Sequence, residues 1–595
     1  MLIAQTVGIW TIIVVLAYLF LVLFLGWLGY RKTQNATDYL LGGRKTHPVV
    51  MALSYGATFI STSAIVGFGG VAGMFGMSLL WLTFLNIFVG IFIAFVFLGG
   101  PTRRIGHRLD AHTFPEFIGR RFQSKFIQIF AGLTIFLFIP LYAAAVMIGG
   151  CEFIEEQLGI DYNTALLLFT IITAAYVVTG GLKGVMYTDA LQGVIMFVGM
   201  IILLVFTYIK LGGITNAHQS LTDMSLLAPG KLTAIGHRGW TAMPAFGFGD
   251  VKYNLWWVII STLTLGVGIG VLAQPQLAIR FMTVKSKKEL NRAVVVGGVF
   301  ILIMTGVAFT VGSLSNAYFL NHGNDLTGRV VKTIDQEKGY AAIQIVAKDE
   351  AGKYVDVEGK IAPVKLSGVV DEVAGIVTGK SIAVIYAGGS DSKIIPTYIK
   401  TAMPGWFGLL FLLTLLSAAM STLSSQFHVV GTSIGRDVYE TFSGKHGQGI
   451  GVTRVGILIG IVVALLWSYY ARSGGMIIAR ATSIFFGLCA SAFLPAYFGA
   501  LFFKRATKAG AIASMITGFI ATTFWLVFVN AKEAEAMGLV QKVTGGKTSI
   551  LADYPNWPVV DQIVVALPVS ILVMIIVSLI TKKSSHEHLE RCYGK

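Results

Sequence analysis

Charge is scarce in this chain of 595 residues: 12% of it is Asp, Glu, Lys or Arg, while 55% is hydrophobic. With a mean hydropathy of +0.75, this composition excludes an ordinary soluble globular protein. Cysteine is nearly missing. Cys151, Cys489 and Cys592 show no CxxC spacing, which excludes a disulfide framework and a thiolate metal centre. Nucleotide-binding signatures are also missing, because "GVGIG" and "GGLKG" lack the strand and helix context, the downstream acid and the GK[ST] ending that such sites need. The "HEH" of the tail could bind a metal, but three residues on a terminus are read first as a solvated run. No catalytic residue is expected, and the chain is not read as an enzyme. Strands of about ten alternating residues, the mark of an outer-membrane barrel, are absent from the apolar runs.

What the sequence has instead is long apolar windows. A bilayer core of about 30 Å needs roughly 20 predominantly apolar helical residues per crossing. Such windows lie near 7–30, 48–75, 79–100, 127–150, 162–182, 189–210, 254–279, 293–315, 404–430, 450–471, 482–503, 509–530 and 559–581. The fold class expected is therefore an all-α polytopic membrane protein of about 13 transmembrane helices. Acidic residues number 29 against 45 basic ones, a net charge of +16. The connectors on one side hold 26 of the 45 Lys and Arg. The positive-inside rule places those connectors and the C-terminus in the cytoplasm, and the N-terminus outside an inner or plasma membrane. A basic surplus arranged in this way points to a lipid bilayer and not to nucleic acid, and no protein partner is implied.

One long connector, 316–403, has ten basic and ten acidic residues. Within it, "AAIQIVAKDEAGKYVDVEGKIAPVKLSGVV" alternates apolar and polar residues around a turn-forming "DEAGK", which predicts a small external β-containing domain. The organisation expected is an extra helix and basic loop (1–47), a five-helix group (48–210), an external connector (211–253), a second five-helix group (254–503) carrying the insertion 316–403, and two closing helices with a tail (504–595).

Two windows are broken by small and polar residues, "SYGATFISTSAIVGFGG" at 54–70 and "STLTLGVGIGVLAQP" at 261–275, each first in its five-helix group. Secondary transporters built from inverted repeats carry discontinuous helices at such matched positions, where unwound carbonyls face an ion or solute. Close helix packing is the alternative for either one alone. A third run, "SAAMSTLSSQ" at 417–426, places hydroxyls inside hydrocarbon. Ala418, Ser421 and Thr422, at i, i+3 and i+4, share a helical face and offer a carbonyl and two hydroxyls to a hard cation. Ser417, Ser424 and Ser425 are assigned to packing. Enclosed polar groups at mid-depth speak against a channel.

These pieces, with "AAYVVTGGLKGVMYTDALQG" at 174–193, "DYLLGGR", "FPEFIGRRF" and "QPQLAIRFMTVKS", resemble the sodium:solute symporter family. The resemblance spans roughly 30–315 and 404–530 and implies an inverted five-helix repeat of the leucine-transporter type. It implies sodium as coupling ion, held by the carbonyls of Ala57, Ile60 and Ala418 and the hydroxyls of Ser421 and Thr422. It gives Asp189 a part in sodium affinity or gating, the alternative being a favourable seat on a helix dipole. Ser61, Thr62 and Ser63 lie beside these carbonyls, within reach of a substrate carboxylate, packing being the equal alternative. Proline-transporting relatives have an acid where this chain has Phe59, a departure that counts against proline. The texture is closest to the pantothenate and monocarboxylate branch, so the solute expected is a small carboxylate, with a sugar, an amino acid such as proline, or proton coupling as alternatives. The 316–403 insertion is longer than the family usually carries.

Overall fold

The computed structural model describes residues 8–594 apart from 34, 351, 445–448 and 473–476. It is mostly helical. The long apolar helices are α1 (Ile9–Arg31), the bent pair α2 (Pro48–Phe59) and α3 (Ser63–Phe75), α4 (Met77–Arg108), α5 (Lys125–Leu158), the shorter α6 (Tyr162–Ala175), α7 (Gly181–Lys210), α8 (Val251–Ala273) and α9 (Lys287–His322). After a β domain come α10 (Gly405–Ser443), α11 (Gly451–Tyr470), α12 (Ile478–Phe502), α13 (Lys508–Val529) and α14 (Ile563–Ile580). A short helix, α15 (His586–Tyr593), ends the described chain. Among the described residues, eleven helices are long and apolar enough to cross a membrane and the bent pair makes a twelfth. With α6, each of the thirteen sequence windows has its helix.

The helices divide by burial. α10 and α12 are enclosed, whereas α1 and α14 present most of their apolar surface outward, as expected where lipid replaces water as the neighbour of Leu, Ile and Phe. α1 packs through one face, Tyr18, Val22, Gly26 and Gly29. At Gly29 it comes so close to α7 that a Cβ would stand 2.3 Å from the Gly184 Cα. Small residues set this approach, because contact between membrane helices depends on van der Waals fit. α6 and α7 are continuous except at Gly181, whose φ of 59° and ψ of 177° turn the chain at "GGLKG".

The two expected helix breaks differ. Between α2 and α3 the axis bends by 54°, and Ile60 is extended, with φ −90° and ψ 102°. α8 stays helical through wide π-type turns over Val258–Gly266 and is interrupted only at Gln274, φ −69° and ψ 117°, ahead of Pro275. The second break thus sits at the end of its helix and not in the middle of 261–275.

α9 continues to His322, seven residues beyond its window, because the polar Ser315 and Asn316 that open "SNAYFL" are buried together with the four residues that follow them. The β domain follows as β1 (Leu326–Asp335), β2 (Tyr340–Lys348), β3 (Tyr354–Asp371) and β4 (Ile376–Ser381), a closed antiparallel barrel in which β4 pairs back to β1. Ile343, Ala362 and Val364 fill its centre. The predicted turn joins β2 to β3, with the Gly352 N–H donating to the Asp349 carbonyl at 2.9 Å; Ala351 lies outside the described residues.

Candidate functional site

Because Ile60 is extended, the chain beyond α2 no longer supplies donors to the last α2 carbonyls. Such orphaned groups must find partners elsewhere. They find them on α10. The Ser421 hydroxyl lies 2.9 Å from the Ala57 carbonyl and 3.2 Å from the Ala418 carbonyl. The Thr422 hydroxyl lies 3.4 Å from the Ala57 carbonyl and 3.1 Å from that of Thr58. All of these residues are buried. Two hydroxyl protons therefore serve three carbonyls, which leaves acceptor capacity in excess. Turned outward from their carbonyls, the hydroxyls would offer only lone pairs, and the neutral oxygen set fits a hard monovalent cation. Ile60 ends the helix, but no hydrogen bond among the described residues ties its carbonyl to the α10 hydroxyls.

The three hydroxyls after the break diverge. Ser61 lines a small cavity with Phe59, Phe68, Asn86, Tyr142 and Phe486 and lies 3.5 Å from the Tyr142 hydroxyl. Thr62 turns to α5 and donates to the Val146 carbonyl at 2.5 Å. Ser63 is buried, and its hydroxyl meets no partner among the described residues. Of the three, only Ser61 faces the cavity. That cavity has room of about 20 Å³ for a water-sized sphere, enough for about one water molecule. A solute enters only when the surrounding helices move. No Lys, Arg, Asp or Glu lines it.

Asp189 lies well inside α7 and is fully buried, so a seat on the helix dipole does not describe it. Its carboxylate accepts from Ser54 at 2.7 Å, Thr58 at 3.3 Å and Ser424 at 3.4 Å, and pairs with Arg280 Nη2 at 3.0 Å. The same nitrogen lies 2.6 Å from the hydroxyls of Thr58 and Ser425, and Arg280 Nη1 donates to the Gln276 carbonyl. Ser424 and Ser425, assigned to packing from sequence, are instead polar partners of this pair. Ser417 also makes a polar contact, 3.2 Å from the Tyr18 hydroxyl. Arg280 looked like one of many basic residues in a connector. Its segment folds back into the bundle in short turns from Pro275 to Met282, which removes its side chain from solvent completely. A signal was there: Ser54 with Thr58, and Ser421 with Ser425, are both i, i+4 hydroxyl pairs, a polar seam on two facing helices.

A second charged cluster holds the far end of α10. In the helix Phe114–Arg121, Glu116 takes Arg436 through both carboxylate oxygens at 3.0 Å and Arg120 at 2.6 Å. Burial alone would raise the Glu116 pKa, but Arg436 and Arg120 outweigh it and hold the carboxyl below its ordinary value.

Against known proteins, the sequence model of the sodium:solute symporter family matches residues 39–381 and 364–518. The chain belongs to the sodium:solute symporter family. Among curated relatives, this symporter is 27% identical to sodium/proline symporter 2 of Staphylococcus saprophyticus over 91% of this chain and 92% of that protein. It is 27% identical to the high-affinity proline transporter PutP of Bacillus subtilis, over 91% and 98%, and 25% identical to the sodium/proline symporter of Escherichia coli, over 86% of each. A solved structure of a sodium-coupled sialic acid symporter, outward-open and substrate-bound, superposes with a TM-score of 0.68 at 17% identity, covering 97% of this chain and 99% of that one. The fold is thus that of a sodium-coupled transporter with the inverted five-helix repeat of the leucine-transporter type. The protein is an integral membrane transporter and not an enzyme.

Proposed function

We propose that this symporter couples inward movement of sodium to uptake of a compact zwitterion, proline being the first candidate. The observation that carries the reading is the convergence of the Ala57, Thr58 and Ala418 carbonyls with the Ser421 and Thr422 hydroxyls at the helix break, beside the cavity that Ser61 lines. Sodium would sit among these oxygens, with Ile60 joining through its carbonyl once the helices move. It would hold α2 to α10 in the outward-facing state. The Asp189–Arg280 pair, touching α2 and α10 through Ser54, Thr58, Ser424 and Ser425, would transmit its presence. The charge bias supports a cytoplasmic C-terminus, with the N-terminus and β domain outside.

A small carboxylate, the solute expected from sequence, has less support. The curated relatives named above are proline transporters, and the cavity offers no cation to a lone carboxylate. A zwitterion brings its own counter-charge, and Phe59, Tyr142 and Phe486 would offer aromatic faces to its ammonium group. Energetics agree. One sodium crossing about 100 mV releases about 2.3 kcal/mol, and a tenfold gradient adds about 1.4 kcal/mol, enough to concentrate a neutral solute several hundredfold. Uptake of labelled proline, pyruvate, acetate, pantothenate and glucose into proteoliposomes tests this. Proline uptake should require an inward sodium gradient; indifference to sodium across the panel overturns the symport reading, and sodium-driven pyruvate uptake without proline uptake overturns the substrate.

A further inference from the structure

A second, much larger cavity lies away from the oxygen cluster. About 610 Å³ in volume, it is walled by the end of α1, the segment joining α1 to α2, the start of α2 and the start of α7. Its lining includes Lys32, Lys45, His47 and Lys183, against a single carboxylate, Asp38. Asp38 is engaged by Lys183 at 3.7 Å, and Lys183 also donates to the Lys32 carbonyl at 3.1 Å. Among the described residues, neither Lys32 nor Lys45 forms an ion pair. Both are exposed, so two cations line the cavity without a counter-charge.

The place of the cavity indicates what supplies that charge. Lys32 directly follows α1, the helix most open to lipid, and Trp27 and Tyr30 stand exposed on its last turns. Exposed Trp and Tyr at the end of a lipid-facing helix mark the membrane–water interface. The cavity opens at that level, where acidic headgroups reside and where basic recesses between helices receive them. We propose that this recess binds an anionic phosphate group, presented by a lipid headgroup, between Lys32, Lys45 and Lys183.

Occupancy has a structural consequence. His47 and Val50, at the head of α2, and Lys183 and Met186, early in α7, face the same recess. One turn further along, Ser54 and Asp189 already join these two helices. A phosphate between Lys45, just ahead of α2, and Lys183 would tie the entry of α2 to α7 a second time, so the lipid would favour the conformation in which the two helices stay together.

The test uses the purified full-length protein in detergent, read by intact-complex mass spectrometry and thermal unfolding. Dioleoyl phosphatidylglycerol, dioleoyl phosphatidylcholine and inorganic phosphate are compared. The wild type should retain one phosphatidylglycerol in preference to phosphatidylcholine and unfold at a higher temperature with it. Lys32→Gln/Lys45→Gln should weaken this by roughly fivefold per lysine, whereas Lys348→Gln/Lys353→Gln on the β domain should not. Protection by inorganic phosphate that the double variant abolishes would retain the phosphate site and assign it to the free ion. Absence of protection by either anion, or equal binding by the wild type and Lys32→Gln/Lys45→Gln, overturns the proposal. None of these readouts requires transport, so they stand whatever the solute or coupling ion is.

Discussion

α2–α3 and α8 are alike in sequence and unlike in structure. Both mix glycine with serine and threonine and both open a five-helix group, yet the first is severed at mid-length and the second stays helical to Ala273. The difference lies in what faces them. The α2 carbonyls freed at Ile60 meet the hydroxyls of Ser421 and Thr422. Two of the α8 hydroxyls have other duties: Ser261 bonds back to the Trp257 carbonyl, and Thr262 accepts from Arg480 at 3.1 Å, an arginine itself paired with Glu533. Small and polar residues permit a break, but a helix stays broken inside a bilayer only where partners receive its backbone.

The largest effect is expected at Arg280. Arg280→Ala leaves the Asp189 carboxylate buried without a cation beneath the α2 break, at an expected cost of about 3–5 kcal/mol. The thermal unfolding temperature should fall accordingly, and Asp189→Asn/Arg280→Gln should recover most of the loss. A smaller effect contrasts the two helices directly. Thr58→Val removes a hydroxyl that touches Asp189, Arg280 and Ser425 and should cost about 1–3 kcal/mol. Thr264→Val in α8, where the hydroxyl has no partner among the described residues, should be neutral or stabilising in the same unfolding assay. The smallest effect concerns the anchor at the far end of α10. Glu116 is held below its ordinary value of 4.5, so its contribution is complete above that pH and is lost as the pH falls through its lower folded value. Glu116→Gln should flatten the acid limb of stability against pH and leave the neutral limb unchanged in shape.

Much of the architecture was legible in the amino-acid order, since membrane helices declare themselves by apolar length and the β2–β3 hairpin by alternation. The end of α9 was not, because "SNAYFL" reads as a polar boundary while its polar members are buried against neighbouring elements. At the site, the shared face of Ala418, Ser421 and Thr422 followed from helical spacing alone. Arg280 did not, because a charge in a connector looks solvated until the chain is seen to fold back. For the same reason Ser424 and Ser425 passed as packing residues: their partners lie far away in sequence, on α7 and in the segment after α8.

Sodium is expected to bind where α2 breaks against α10 and not along α8. The most direct test is the sodium dependence of solute uptake in proteoliposomes for Ser421→Ala/Thr422→Ala beside Thr262→Ala/Thr264→Ala. With about 1 kcal/mol for each lost oxygen, the first double variant should need roughly tenfold or more sodium for half-maximal uptake, and the second should keep the wild-type requirement. An unchanged requirement in the first, or an equal shift in both, would contradict sodium binding at the α2 break.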